Sequence, residues 1–353
     1  MSRIPFVSKD NGGAAMVVPL AVEVRAHGHI VEAIAEGLAT KHFEKADFRF
    51  YFQGTVDFQK DPFILDSLRV LRHISPEVVV VSAGSPIHLE RQFAITASQL
   101  QIPLVCVEDY WGVSSKLQPT RATPQLVLSI DSYGKAIAQE LYPSAAIQIV
   151  GHHEIKAITD AQNDTAGLAI FAEKTRGFDH TCVLVGGGAY TTAEIKLLVQ
   201  SLKKSSGKWC LVPRFHPKTL AWSSEDGRTL EDVWKELLGP LGDRVVYVPG
   251  VKTETVVAGA DVVASGFSTL MSGSAYIGKP TVCLKTKETM ESLLAQSNGI
   301  LNEVPVVALG CADVMESPVD LATFLGKTYL RAQEEFQPYD PKKAFTALSQ
   351  FLN

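Results

Sequence analysis

The sequence lacks the features that would place it in a class at once. It has five cysteines in 353 residues, Cys106, Cys182, Cys210, Cys283 and Cys311, and no pair stands at the spacing of a zinc site or a redox motif. The first four lie inside apolar runs at 104–107, 182–185, 209–212 and 281–284. They read as small buried hydrophobes of a reducing compartment. No apolar run approaches membrane-spanning length, and no charged leader followed by such a run opens the chain, so a cytoplasmic location is expected. Positive charge is not in excess: 33 Lys and Arg face 38 Asp and Glu, a net charge of −5. That argues against a general nucleic-acid binder and allows at most peripheral attachment to an anionic membrane. His27 with His29, and His152 with His153, have no carboxylate or cysteine partner at ligand spacing. All four read as structural or surface residues, and no metal site is expected.

What is present is the pattern of a globular α/β protein. Hydrophobic residues make up 46% and charged residues 20%, which excludes a disordered chain, and the length favours two domains. Short apolar runs at 4–7, 29–34, 48–52, 78–81, 104–107, 126–129 and 147–150 alternate with amphipathic segments. The runs are nearly uniformly apolar, as strands are when helices cover both faces of a parallel sheet. The pattern pauses in the polar stretch 151–165 and resumes with strands expected at 181–185, 209–212, 245–248, 261–264, 281–284 and 304–308. Helices are expected at 319–332 and 341–351. The fold class expected is therefore α/β, with two facing, Rossmann-like, doubly wound parallel-sheet domains and a cleft between them. The expected bounds are 1–155 for an acceptor domain and 165–335 for a nucleotide-donor domain. A C-terminal helix in 336–353 is expected to pack back on the first domain.

Five segments fall where such sheets place ligands, at the carboxyl ends of strands. The run from Val262 to Leu284 reads as strand, glycine turn, helix and strand, with Ser268 and Thr269 opening the helix. It fits an ordinary helix cap or an anion site, because a helix N-terminus offers unpaired N–H groups and a positive dipole end. Gly186, Gly187 and Gly188 follow an apolar strand; they let a ligand approach the backbone or simply form a turn. The spacing is neither that of a Walker loop nor that of a dinucleotide fingerprint. Arg214, His216 and Lys218 alternate and so share one side of an extended backbone, as a phosphate clamp or as a solvated basic loop. Pro217 biases His216 towards extended backbone. Asn11, Gly12 and Gly13 open the first helix and suit an acceptor or an ordinary turn. Glu108 and Asp109 precede Tyr110 and Trp111, a pattern that suits a general base beside a stacking surface or a turn cap.

Together these segments resemble the GT-B superfamily of nucleotide-sugar glycosyltransferases and UDP-N-acetylglucosamine 2-epimerases. Arg214-Phe215-His216-Pro217 is similar to the basic-x-His-Pro element of bacterial glycerophosphotransferases, capsule enzymes and sialyltransferases. The run Ala260-Asp261 to Gly278-Lys279-Pro280, with Ser268-Thr269 inside it, resembles their donor-phosphate segment. The resemblance implies a base-binding loop at Tyr247-Val248-Pro249-Gly250, hence donor roles for Pro249 and Gly250, and an acidic catalytic base at Glu108-Asp109. One departure narrows it: Leu270-Met271-Ser272-Gly273-Ser274 holds no acid, where many retaining members and the epimerases carry a ribose-binding glutamate. That favours inverting, His-Pro-type transferases over the epimerases.

The resemblance implies transfer of a sugar, or a glycerophosphate-like group, from a nucleotide-activated donor to a saccharide or other hydroxyl acceptor, in cell-surface polysaccharide or glycoconjugate synthesis. Asp109 or Glu108 would deprotonate the acceptor, with Asn11, Gly12, Gly13 and Trp111 around it. Gly186–Gly188, Arg214, His216, Lys218, Ser268 and Thr269 would hold the leaving phosphate. No cofactor or metal is expected, and domain closure about a hinge near Gly151 would exclude water. A 2-epimerase-like isomerase and a non-catalytic nucleotide binder are the alternatives.

Overall fold

The computed structural model describes residues 1–51, 67–83, 88–216, 219, 222–224 and 227–352. By internal contacts the chain divides into Met1–His153 with Pro338–Asn353, and Glu154–Gln337. Each unit is an open sheet of parallel strands with helices between them.

The first unit has six strands: β1 (Arg3–Ser8), β2 (Ile30–Ala35), β3 (Val79–Ser82), β4 (Leu104–Val107), β5 (Leu126–Ser129) and β6 (Ala146–Ile149). Their order across the sheet is β2-β1-β3-β4-β5-β6. Val79, Val80 and Val81 are fully buried, as are Val105, Cys106 and Val107. Each buried aliphatic side chain of this size contributes about 1.5–3 kcal/mol of transfer free energy. The chain moves to one side of β1 to make β2 and to the other to make β3. The carboxyl ends of β1 and its neighbours therefore flank a topological switch point, where open α/β sheets bind ligands.

The second unit repeats the plan with β7 (His180–Gly186), β8 (Trp209–Phe215), β9 (Val262–Ser265), β10 (Thr281–Leu284) and β11 (Asp313–Met315). The order is β11-β10-β9-β7-β8, so its switch point lies between β7 and β9. Helix Thr191–Lys204 leaves β7, and helix Thr269–Tyr276 leaves β9. Among the described residues no helix is long and apolar enough to cross a membrane.

Four expected elements differ. The run 48–52 makes only a single bridge, Phe50 to Ala33, and residue 52 lies outside the described residues. Residues 304–308 form the helix Pro305–Ala308 rather than a strand, because Pro305 has the fixed φ of a first helical turn and no N–H to give a ladder. Residues 245–248 make only a single bridge, Val245 to Leu211, on the outer side of the edge strand β8. Residues 319–332 hold the short 3₁₀ turn Leu321–Phe324 and the first residue of the four-residue helix Ala332–Glu335, since Gly326 (φ 71°) interrupts any longer helix. The C-terminal helix Pro341–Ser349 belongs to the first unit, where Phe345 stacks on His27 with ring centroids 4.0 Å apart.

Candidate functional site

The second unit holds a cavity of about 290 Å³ at its switch point. Gly186 and Gly187 line it from the end of β7, Arg214, Phe215 and His216 from β8, and Phe267, Ser268 and Thr269 from β9. The turns are packed onto one another. Ser265 Oγ donates to Val185 O at 2.8 Å, and the His216 N–H donates to Gly186 O at 2.9 Å. The Tyr190 and Phe267 rings stack with centroids 4.6 Å apart. Ser268 caps helix Thr269–Tyr276, its Oγ accepting from the Leu270 N–H at 3.3 Å. A helix dipole and two hydroxyls thus meet a glycine turn and an imidazole, a setting that suits an anion.

Two carboxylates complete the lining: Glu154 in the first turn of helix His153–Ala161 and Glu254 in that of helix Thr253–Gly259. Burial, then the charge of Glu254, pushes Glu154 up to about 7. The pocket therefore offers a carboxylate beside an acid that exchanges its proton near neutrality. Arg214 separates this cavity from a second, of about 360 Å³, lined by Pro213, Glu231, Lys235, Tyr247 and Thr253. The Arg214 guanidinium donates to Val248 O at 3.0 Å, Val251 O at 2.6 Å and Thr253 Oγ1 at 3.2 Å. It is a brace for loop 248–253, and its planar fork suits that role.

The first unit gathers a different set at the ends of β1, β3 and β4. Asp10 caps helix Asn11–Ala26, its Oδ1 accepting from the Gly13 N–H at 2.7 Å. Gly13 lies so close to Ser82 that a Cβ there would stand 2.6 Å from its Cβ and Oγ. Asp109 leans over Gly12, and His152 Nε2 donates to the Asp109 carbonyl at 2.8 Å. Burial, then the charge of Asp10, pushes the Asp109 carboxyl up to about 7 against the pull of Lys116. Lys116 is itself lowered, chiefly by burial. Glu90 accepts from the Lys9 N–H at 2.8 Å, and burial pushes it up to about 7. Among the described residues no three His, Cys, Asp or Glu side chains gather as metal ligands do.

No family model matches the sequence, and no curated protein matches it. Solved structures do match. UDP-GlcNAc 2-epimerase from Neisseria meningitidis, bound to UDP-GlcNAc, aligns at a TM-score of 0.64 and 13% identity, over 99% of each chain. Acinetobacter baumannii MurG aligns at 0.61 and 13%, again over 99% of each. CalG4, the calicheamicin glycosyltransferase, aligns at 0.58 and 13%, over 100% of this chain and 98% of its own. The chain has the GT-B fold.

Within that GT-B frame the residues singled out in the sequence fall into four groups. Gly186, Gly187, Arg214, His216, Ser268 and Thr269 share the cavity of the second unit. Gly188 packs against the Tyr190 ring instead, and Pro249 and Gly250 do not line either cavity. Lys218 and Pro217 lie outside the described residues. Asn11, Gly12, Gly13 and Asp109 stand together in the first unit, where Asn11 Oδ1 accepts from His42 Nε2 at 2.9 Å.

Two expectations need correction. Glu108 is fully buried, and its carboxyl accepts from Ser114 Oγ and Ser129 Oγ, each at 2.7 Å. An acid so enclosed cannot reach an acceptor, so it is a structural group. Trp111 is 1% exposed, with its indole N–H donated to Asp131 Oδ2 at 2.7 Å. It therefore has no face to stack on a ligand. The sequence reading also missed Glu154, Glu254, Glu90 and Lys116. The local signal was at most that Glu90, Glu154 and Glu254 are first-turn acids of their helices.

Proposed function

We propose that this chain is a GT-B enzyme that moves a sugar, or a glycerophosphate-like group, from a nucleotide diphosphate or monophosphate donor to an acceptor hydroxyl. The observation that carries the reading is the convergence of Gly186, Gly187, His216, Ser268, Thr269 and Glu254 on one cavity at the switch point of the second sheet. Phosphate oxygens suit the helix N-terminus and the His216 imidazole. A carboxylate accepts both hydroxyls of a ribose well, and Glu254 supplies one that the helix after Ser268 lacks. The neighbouring cavity beside Tyr247, with the main chain of Pro249 and Gly250 near it in sequence, is the proposed room for the base. Asp109 is the proposed base of the first unit, with Asn11, Gly12 and Gly13 near the acceptor. A pKa near 7 suits proton transfer at neutral pH.

In the proposed step a sugar is moved by the acceptor oxygen bonding to its anomeric carbon while that carbon's bond to the donor phosphate oxygen breaks. A glycerophosphate-like group is moved by the acceptor oxygen bonding to its phosphorus while that phosphorus's bond to the bridging oxygen of the leaving nucleotide phosphate breaks. The hydroxyl proton passes to Asp109, and the negative charge stays on the leaving phosphate. His216 and the helix N–H groups stabilise that charge without a metal. Cytoplasmic synthesis of cell-surface polysaccharide or glycoconjugate is the proposed setting. A thermal-shift panel of CMP, CDP, UDP, GDP and dTDP tests the donor site; stabilisation by at least one is expected, and no shift with any of them refutes it.

A second reading, a 2-epimerase-like isomerase, is favoured by one observation: Glu154 and Glu254 place two acids in the pocket, one of them titrating near 7. Proton NMR of the chain with UDP-N-acetylglucosamine alone separates the two. Epimerisation without any acceptor supports the isomerase; an unchanged sugar excludes it.

A further inference from the structure

Glu194 has no part in the roles above, yet it packs beneath one turn that lines the cavity of the second unit, while Thr191 of the same helix packs beneath the other. It belongs to helix Thr191–Lys204 and is fully buried. Its Oε1 accepts from Thr289 Oγ1 at 3.2 Å. A Cβ on Gly266 would overlap that oxygen and stand 2.6 Å from Thr289 Cγ2, so Gly266 is the residue that lets the acid reach the turn. Three residues upstream of Glu194, Thr191 packs on the other turn, where a Cβ on Gly186 would stand 2.6 Å from its Cγ2. Cys283 Sγ donates to Gly266 O at 3.2 Å from the far side.

We infer that Glu194 is a positioning residue for the anion pocket: as the uncharged acid it sets the spacing of the Gly186–Gly187 and Gly266–Ser268 turns, and as the carboxylate it weakens nucleotide diphosphate binding there. The inference rests on reading that pocket as a donor site. Burial pushes Glu194 up to about 8, against the Thr289 hydrogen bond and the nearby Thr191 hydroxyl and Gly266 main chain, which favour the charged form. The titratable group facing it from β10 is the Cys283 thiol, which burial pushes well above its ordinary range. Thr289 and Gly266, which face it from other elements, and Thr191 on its own helix carry no charge. No described cation therefore offsets the carboxylate once it forms, and a buried negative charge under a phosphate site acts through a low dielectric.

The test is calorimetric titration of UDP and CDP into wild type, Glu194→Gln and Thr289→Val at pH 7.5, 8.5 and 9.5, a range in which an ordinary imidazole is already neutral. Wild type is expected to lose about tenfold in affinity across the range, and Glu194→Gln to hold its affinity. Thr289→Val removes a hydrogen bond that favours the charged form, so its loss is expected at higher pH. A flat wild-type profile, or an equal loss in Glu194→Gln, overturns the role of Glu194 and leaves the donor-site reading intact. No binding of either nucleotide at any pH overturns the donor-site reading and the inference with it. Melting temperature gives a second readout. The gain of Glu194→Gln over wild type is expected to grow from about pH 4.5 to about pH 8 and then level; a constant difference contradicts the buried acid's titration.

Discussion

The Asp109 carboxylate lies directly over Gly12: a Cβ built on Gly12 would overlap Oδ2 and stand 3.3 Å from Cγ. The glycine is what allows the acid at the end of β4 to reach the start of helix Asn11–Ala26, with β3 between the two strands. Gly12→Ala is expected to cost about 1–3 kcal/mol by overpacking. In an Asp109→Ala background the same change is expected to be nearly neutral. A urea-denaturation double-mutant cycle measures this; additive costs would show that Asp109 does not occupy the space.

Trp111 is expected to act on stability and not on ligand. Trp111→Phe removes the indole donor from Asp131 Oδ2 in a buried setting, with an expected loss of about 1–3 kcal/mol. Nucleotide and acceptor affinities should be unchanged by calorimetry. A selective loss of acceptor binding in a folded variant would restore Trp111 to the site.

Glu108 makes stability depend on pH. Burial is the largest cause of its rise to about 7, whereas an unfolded glutamate titrates near its ordinary value of about 4.3. The folded pKa is the higher, so the contribution is fully present below the unfolded value and is lost as pH rises through about 7. Relative to wild type, Glu108→Gln is expected to gain up to about 3 kcal/mol between pH 4.3 and 7. Chemical denaturation across that range checks it, and a pH-independent difference would show that Glu108 does not titrate there.

Arg214 is expected to matter through loop 248–253. A lysine cannot bond Val248 O, Val251 O and Thr253 Oγ1 together, because it presents one compact ammonium group. Arg214→Lys is expected to lose about 1–3 kcal/mol of stability and about tenfold in nucleotide affinity. Hydrogen exchange should show faster exchange in residues 248–253. Unaltered exchange in this loop would mean that the guanidinium does not hold it.

The frame of the molecule was legible in the sequence because strands such as 79–81 and 104–107 are apolar without alternation, which only a sheet covered on both faces requires. The pocket-lining turns at Gly186–Gly187 and Ser268–Thr269 were legible for a related reason: glycine and hydroxyl residues followed such strands. Short apolar pieces were not. Residues 304–308 fit strand and helix periodicity equally, and Pro305 decided the matter through its backbone. Arg214 and His216 both line one cavity, but so does the intervening Phe215, so alternation did not decide their placement, and the sequence could not show that the guanidinium already serves three oxygens. Glu154 was hidden because it stands more than 110 residues before Ser268, and only the folded unit makes them neighbours. Burial decided Glu108 and Trp111, and burial of a polar residue has no local sequence signature.

The central claim is that the cavity bounded by Gly186, His216, Ser268 and Glu254 holds a nucleotide. The most direct measurement is the melting temperature with CMP, CDP, UDP, GDP and dTDP, for wild type and His216→Ala. At ligand about a hundredfold above its dissociation constant, a rise of several degrees is expected with at least one nucleotide. That rise is expected to disappear in His216→Ala. A panel that leaves the melting temperature unmoved would contradict the account, and an undiminished rise in His216→Ala would place the nucleotide elsewhere.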